Sequence, residues 1–316
     1  MSSLRLVFCG TPHFAVPTFI HLLAQSNIEI AAVITQPDRP RGRGHEISAS
    51  PVKAAAIAAN IPVHQPEKIR SPEARDLLQS LAPDCIVIIA YGQIIPAALL
   101  SIPKLGWINL HASLLPKYRG AAPINWAIAN GETQTGLTTM RIDAGMDTGE
   151  MLLQGEIDIA PEETAPELTE SMAEAGAPLM VETLRGVADG KLIARPQNNG
   201  EATYAPLLKK EDGRIDWNRP AQEIYNRIRG FAPWPGAYTS FRGRSCQLWA
   251  EPFSLRAVNL GAPGSISRED AQILIACGHT TLLRLLSVKL EGGKQISAVE
   301  FGNGARLTER ERFDIA

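Results

Sequence analysis

Short apolar runs alternating with helical stretches constrain the fold of this chain more than any other feature. Leu4–Cys9 ends in Gly10, Ile30–Ile34 leads into a loop, and Cys85–Ala90 and Trp107–Leu110 follow. Each has strand length and composition. Between them, residues 15–25 set Phe19, Leu22 and Leu23 on a helical face, and residues 52–59 and 72–81 also read as helices. Strands that alternate with helices in this way predict an α/β unit with a mostly parallel, Rossmann-like sheet and right-handed crossovers.

Functional groups in such sheets collect beyond the carboxyl ends of the strands. Four candidates lie at such ends: Gly10-Thr11-Pro12, Tyr91-Gly92, the pair Asn109 and His111, and Asp147 between glycines in Asp143–Gly149. The first turn lacks the Gly-x-Gly-x-x-Gly spacing of a dinucleotide loop, which argues against a nicotinamide cofactor. Asn109 and His111 are two apart on a strand, so both leave the same face and converge on one point. An amide donor beside an imidazole suits acyl transfer between nitrogens. The tetrahedral oxyanion needs a donor where charge develops, and a proton must pass between amines. Asp147 would orient His111. An isolated Asn or His at a strand end is ordinarily a turn former or a satisfied polar group, and it is the combination that points to chemistry. No Gly-x-Ser-x-Gly nucleophile turn is present in this region, so no covalent adduct is expected.

At 316 residues the chain exceeds a usual single domain, and 45% hydrophobic residues suffice for two cores. We expect a catalytic domain over 1–190, a linker over 191–206 and a second domain over 207–316. Residues 161–190 read as a helix opened by the pair Thr164 and Glu167, with Gly176 and Pro178 expected to bend or break it. After 197–205, which lacks apolar periodicity, residues 225–231 could close one helix. Strand candidates then fall at 237–241, 247–250, 272–276, 282–289 and 297–301, a pattern that fits a small barrel. No segment approaches the roughly 20 apolar residues of a membrane span. Cys9, Cys85, Cys246 and Cys277 lack paired spacing, which fits reduced thiols in the cytoplasm and argues against a zinc site. No metal is expected.

The net charge of −2 argues weakly against a nucleic-acid partner, but residues 206–316 carry a small excess of Lys and Arg while residues 1–205 carry the reverse. The loop Asp38–His45 holds three arginines, Arg39, Arg41 and Arg43, among glycines and a proline, and is expected to lack regular structure. Such segments either order on phosphate backbones or stay solvated. Lys209-Lys210 present the same pair of readings.

Gly10-Thr11-Pro12-His13-Phe14-Ala15, Pro37-Asp38-Arg39-Pro40, Ser50-Pro51-Val52-Lys53, residues 111–124 and 143–149 resemble the methionyl-tRNA formyltransferases in order and spacing. So do Lys209–Gly213, Asp216-Trp217, Trp234–Tyr238, Leu290-Glu291-Gly292 and Ser297-Ala298, so that the resemblance covers nearly the whole chain. It implies a formyltransferase-fold N-terminal domain followed by an OB-like barrel, 10-formyltetrahydrofolate as co-substrate and initiator methionyl-tRNA as acceptor. It also implies Asn109, His111 and Asp147 as catalytic residues. The folate would lie against Ile88, Tyr91, Gly92 and the turn Ser113-Leu114-Leu115-Pro116. Arg41, Arg43, Lys209 and Lys210 would meet the tRNA. Apart from the resemblance, Arg119-Gly120-Ala121-Ala122-Pro123 is expected to shape the entry to the site by packing small residues, with Arg119 meeting a phosphate or the terminal adenosine. One departure stands out: His45-Glu46 occupies the place of a lysine pair in that family. A monomer is expected. Three other readings stay open: a formyltransferase acting on an amino sugar nucleotide, a hydrolase releasing formyl to water, and a tRNA-binding module without activity.

Overall fold

The computed structural model describes residues 3–41, 46–254, 261–269, 272–308 and 311–314. The chain divides into two compact units, the first made of residues 1–123, 134–158 and 168–206, the second of 124–133, 159–167 and 207–316.

The first unit is built on a seven-stranded sheet. Its strands are β1 (Leu4–Gly10), β2 (Ile28–Ile34), β3 (Val63–His64), β4 (Cys85–Ile89), β5 (Trp107–His111), β6 (Gln134–Arg141) and β7 (Met151–Asp158), in the spatial order β7-β6-β5-β4-β1-β2-β3. The five strands from β5 to β3 pair in parallel, whereas β6 pairs antiparallel with both β5 and β7. The mostly parallel sheet expected from the alternation is present. Leu6, Val7, Phe8 and Cys9 are all fully buried, as a central strand covered on both faces requires.

The parallel strands are connected through α1 (Val16–Leu23), α2 (Pro51–Ala58) and α3 (Pro72–Leu81), and through a single helical turn at Ala97–Leu100 between β4 and β5. Ser50 and Ser71 cap α2 and α3, each accepting from the backbone N–H three residues on, with proline following at the first helical position. A longer helix, α4 (Ala165–Ala188), runs through Pro178 without ending. The expected break does not occur: α4 is continuous through Pro178, which lies on its exposed face. Gly176 acts through the side chain it lacks. A Cβ there would come within 2.5 Å of Leu110, so its absence lets α4 pack close to the sheet.

Residues 39–41 pair antiparallel with 46–48, in the register Arg39 to Ser48 and Arg41 to Glu46. The basic segment expected to lack regular structure is thus a short hairpin at its base, where a proline is tolerated because the two strands have no further neighbour. Its tip, with Arg43 and His45, lies outside the described residues, as does the Arg41 side chain.

The second unit carries the antiparallel strands β8 (Tyr238–Phe241), β9 (Arg244–Phe253), β10 (Ile266–Glu269), β11 (Gln272–Ala276), β12 (Leu282–Leu290) and β13 (Gln295–Ser297), ordered β8-β9-β12-β11-β10 with β13 on β12. This sheet is consistent with the expected small barrel. Helix α5 (Ala221–Gly230) packs on β9, and Trp217, Phe241, Phe301 and Phe313 meet in the core, Trp217 stacked 5.4 Å from Phe313. Residues 297–301, expected as a strand, instead begin helix α6 (Ala298–Ala305). Ser297 and Glu300 form a reciprocal cap there, a local signal stronger than the apolar content of the segment. The segments 124–133 and 159–167 join this unit through specific bonds. Buried Arg229 donates to the carbonyls of Glu163 and Ala160, Asn125 donates to that of Gly230, and Trp126 packs edge-on to Phe231.

Candidate active site

The whole of the site lies within the first unit. Asn109 and His111 project from β5 at its carboxyl end, where the strand sits between parallel β4 and antiparallel β6. Asn109 is half-buried, and its amide makes no hydrogen bond among the described residues. His111 is only 6% exposed, and its Nε2 lies 2.9 Å from the Tyr118 carbonyl oxygen. A carbonyl only accepts, so Nε2 carries a hydrogen and Nδ1 is the ring nitrogen that the Tyr118 carbonyl does not engage. On that side stands Asp147, with Oδ2 3.7 Å from Nδ1. Of the three residues chosen from the sequence, His111 and Asp147 are brought together, with Asp147 too far for a direct hydrogen bond to the ring, and Asn109 leaves the same strand two residues before His111.

Asp147 adopts a left-handed backbone conformation (φ 52°) in the turn between β6 and β7. Several contacts hold it there. Its Oδ2 accepts from the Gly120 backbone N–H at 2.8 Å. Asp143 closes the front of the turn, accepting from Gly145 N–H and from the Thr148 hydroxyl. Gly149 completes the back, where a Cβ would stand 1.8 Å from the Arg141 carbonyl oxygen, so no other residue fits. Tyr118 and Gly120 thus serve the site through main-chain atoms: Tyr118 orients the imidazole and Gly120 the carboxylate. Gly120 itself has φ 123°, and a Cβ there would meet the Ala205 carbonyl oxygen at 2.5 Å.

The turn after β5 is tied down from within. Ser113 is fully buried and donates to the Lys117 carbonyl, the Thr138 hydroxyl donates to the Ser113 carbonyl and accepts from Leu115 N–H, and Gln154 donates to the Leu115 carbonyl. Leu115 is buried, while Leu114 and Pro116 are partly exposed. Across β5, Ile88 is buried in register with Asn109. Tyr91 presents its backbone, the carbonyl accepting from Thr11 and Gln36, whereas its phenol is buried among apolar neighbours and its pKa is pushed up by that burial. Gly92 is exposed with φ 89°.

Arg119, expected as a phosphate or adenosine partner, is turned inward instead. The residue is 2% exposed, and its guanidinium donates to Gln197 and Asn199. Ser50 and Lys53 hold the base of the hairpin, Ser50 sharing a hydrogen bond with Thr35 and Lys53 pairing with Asp38 and Gln65. In the second unit Lys209 and Lys210 are exposed beside a turn that Asp212 caps. Among the described residues no cluster of three or more His, Cys, Asp or Glu could hold a metal, and no helix is long and apolar enough to cross a membrane.

Sequence reasoning did not find Gly120, Tyr118 or Gln197. The first two act through backbone atoms, so the glycine at 120 shows the close approach of Ala205 but not the hydrogen bond its N–H makes. Gln197 lies in a polar stretch without periodicity.

Comparison with known proteins adds independent findings. The formyl transferase family profile matches residues 4–184, and the profile of the formyl transferase C-terminal domain matches 207–306. A methionyl-tRNA formyltransferase of Solibacter usitatus is 53% identical over 310 residues, covering 98% of each chain. The protein of the same name from Koribacter versatilis is 54% identical over the same shares. Among solved structures, an N-formyltransferase of Helicobacter canadensis in complex with folinic acid and dTDP-3-aminofucose is similar at a TM-score of 0.68 and 19% identity, over 89% of this chain and 98% of that one. HypX of Aquifex aeolicus, in complex with tetrahydrofolic acid, gives a TM-score of 0.61 at 16% identity, over 95% of this chain and 47% of that one.

Proposed function

The chain belongs to the methionyl-tRNA formyltransferase family, and we propose that it carries the family's reaction through Asn109, His111 and Asp147. In that reaction formyl passes from 10-formyltetrahydrofolate to the free α-amino group of initiator methionyl-tRNA. The single observation that carries the site assignment is the 3.7 Å approach of Asp147 to Nδ1 of His111, the ring nitrogen that the Tyr118 carbonyl does not engage, on the strand that also carries an Asn109 amide with no partner among the described residues.

The amine nitrogen attacks the formyl carbon, and the carbonyl electrons move onto oxygen. Asn109 donates to that oxyanion. His111 Nδ1 takes the proton the amine sheds, the resulting imidazolium donates to the oxyanion, and Asp147 stabilises its charge. As the carbonyl re-forms, the bond to N10 of the folate breaks and the same proton passes to N10. Neither a metal nor a covalent enzyme adduct enters the balance.

In this reading the folate lies along Ile88, Tyr91 and Gly92 and against the turn Ser113–Pro116. The bonds that Ser113 makes within the turn leave Leu114 and Pro116 as its partly exposed side chains. Arg41 and Arg43, with Lys209 and Lys210, meet the tRNA backbone. The protein acts as a monomer in the cytoplasm.

Support for tRNA over an amino sugar nucleotide comes from identity above 50% to the former enzymes along the whole chain against 19% to the latter. The test supplies 10-formyltetrahydrofolate with charged initiator tRNA or with a nucleotide-linked amino sugar and identifies the product by mass. Formylmethionyl-tRNA is expected. Formylated sugar, free formate, or no transfer would replace this reading with one of its three rivals.

A further inference from the structure

The stretch 197–205, which the sequence marks only as a polar connector, is built into the active site. Gln197 is its key member. Its amide nitrogen donates to two main-chain carbonyls of the Asp147 turn, those of Asp147 and Gly149, both at 2.8 Å. Its carbonyl oxygen accepts from Arg119 Nε at 3.0 Å and from Nη2 at 2.8 Å. Arg119 has no carboxylate partner among the described residues, and Asn199 also accepts from its Nη2, at 2.8 Å. A buried cation behind the acceptor end of an amide polarises that amide and strengthens the bonds its N–H groups donate.

The same short segment reaches the catalytic groups by three routes. The Tyr118 carbonyl fixes His111, Gly120 N–H holds the Asp147 carboxylate, and Arg119 acts through Gln197 on the Asp147 main chain. This bracket is itself pinned by the far end of the stretch. Tyr118 N–H donates to the Thr203 hydroxyl, Arg119 N–H to the Thr203 carbonyl, and residues 119–120 pair in parallel with 204–205.

We propose that Gln197 is a positioning residue for formyl transfer, holding Asp147 in its left-handed conformation at the distance from His111 at which its charge stabilises the imidazolium. A non-glycine residue in that conformation stores backbone strain. Clamping its own carbonyl and that of Gly149 is what keeps it there. This inference rests on the assignment of Asp147 to the chemistry.

The experiment is a double-mutant cycle between Gln197→Glu and Asp147→Asn, read by single-turnover formyl transfer at saturating donor and charged tRNA. Glu keeps an acceptor for Arg119, which preserves the anchor. It has no donor for the two carbonyls, and an oxygen facing them repels the turn. Gln197→Glu is expected to slow transfer by about 10- to 100-fold, as loss of geometry at a catalytic group does, with donor KM within threefold and the melting temperature little changed. In the Asp147→Asn background the same change is expected to alter the rate less than twofold. An undiminished effect in that background, or no effect in either, would overturn the proposal. A wild-type rate in Asp147→Asn alone would instead overturn the assignment of Asp147, whatever Gln197→Glu does. If Gln197→Glu lowers the melting temperature, Gln197→Met, which fills the same space without donating, must reproduce both the slowing and its disappearance for the proposal to stand.

Discussion

Replacing Asp147 by Asn isolates the charge of that residue from its shape. Asn can keep accepting from Gly120 N–H through its carbonyl oxygen, and it is among the residues that best tolerate the left-handed conformation found here (φ 52°). What disappears is the negative charge 3.7 Å from His111 Nδ1. At that separation unit charges interact by about 1 kcal/mol under water-like screening and about 4.5 kcal/mol at an effective dielectric constant near 20. The Asp147 side chain is 21% exposed, which puts it between these limits. Because each 1.36 kcal/mol is a factor of ten in rate, the span is about 6-fold to about 2,000-fold, and a loss near 10²-fold is expected in the chemical step. Rapid-quench single turnovers, with enzyme in excess over charged tRNA and donor saturating, read that step directly. A rate within twofold of wild type would refute the reasoning. So would a loss confined to the KM for tRNA.

Two further outcomes follow from the rest of the molecule. Burial holds Cys85, Cys246 and Cys277 at pKa values of about 12 and raises that of Cys9 as well, so roughly one thiol in ten thousand is ionised at pH 8. The native protein should therefore resist a thiol-specific reagent and release four reactive thiols only when unfolded; native labelling at the rate of a small free thiol would contradict the packing. Changing Lys209 and Lys210 to Ala should weaken tRNA binding and reduce the slope of log K against log salt by about one for each lysine that meets a phosphate, and an unchanged slope in filter binding would remove them from the interface.

The parts of this protein that local pattern encodes are legible in its sequence. Ser50-Pro51 and Ser71-Pro72 announce helices α2 and α3, and the apolar runs announce β1, β2, β4 and β5, because caps and periodicity act over a few residues. Asn109 and His111 stand out for the same reason: spacing along one strand dictates a shared face. Local pattern misleads where a wider context decides. Pro178 reads as a helix breaker, but α4 runs on through it with the proline on the exposed face. Residues 297–301 read as a strand until the reciprocal bonds of Ser297 and Glu300 are recognised as a helix start. Arg119 reads as a surface cation, yet its partners lie 78 and 80 residues away in sequence, at Gln197 and Asn199. The Tyr118 carbonyl that serves the site leaves no trace in residue type, and at position 120 the sequence shows only the glycine that the close approach of Ala205 requires, not the use of its N–H.

The central claim is that the face shared by Asn109 and His111 meets the reacting carbonyl. Substituting Asn109 by Ala and measuring the single-turnover rate of formyl transfer tests it most directly. Removing one donor to an oxyanion should slow that step by about 10²–10³-fold while donor binding stays unchanged. A rate equal to that of the unsubstituted protein would show that the charge develops somewhere else.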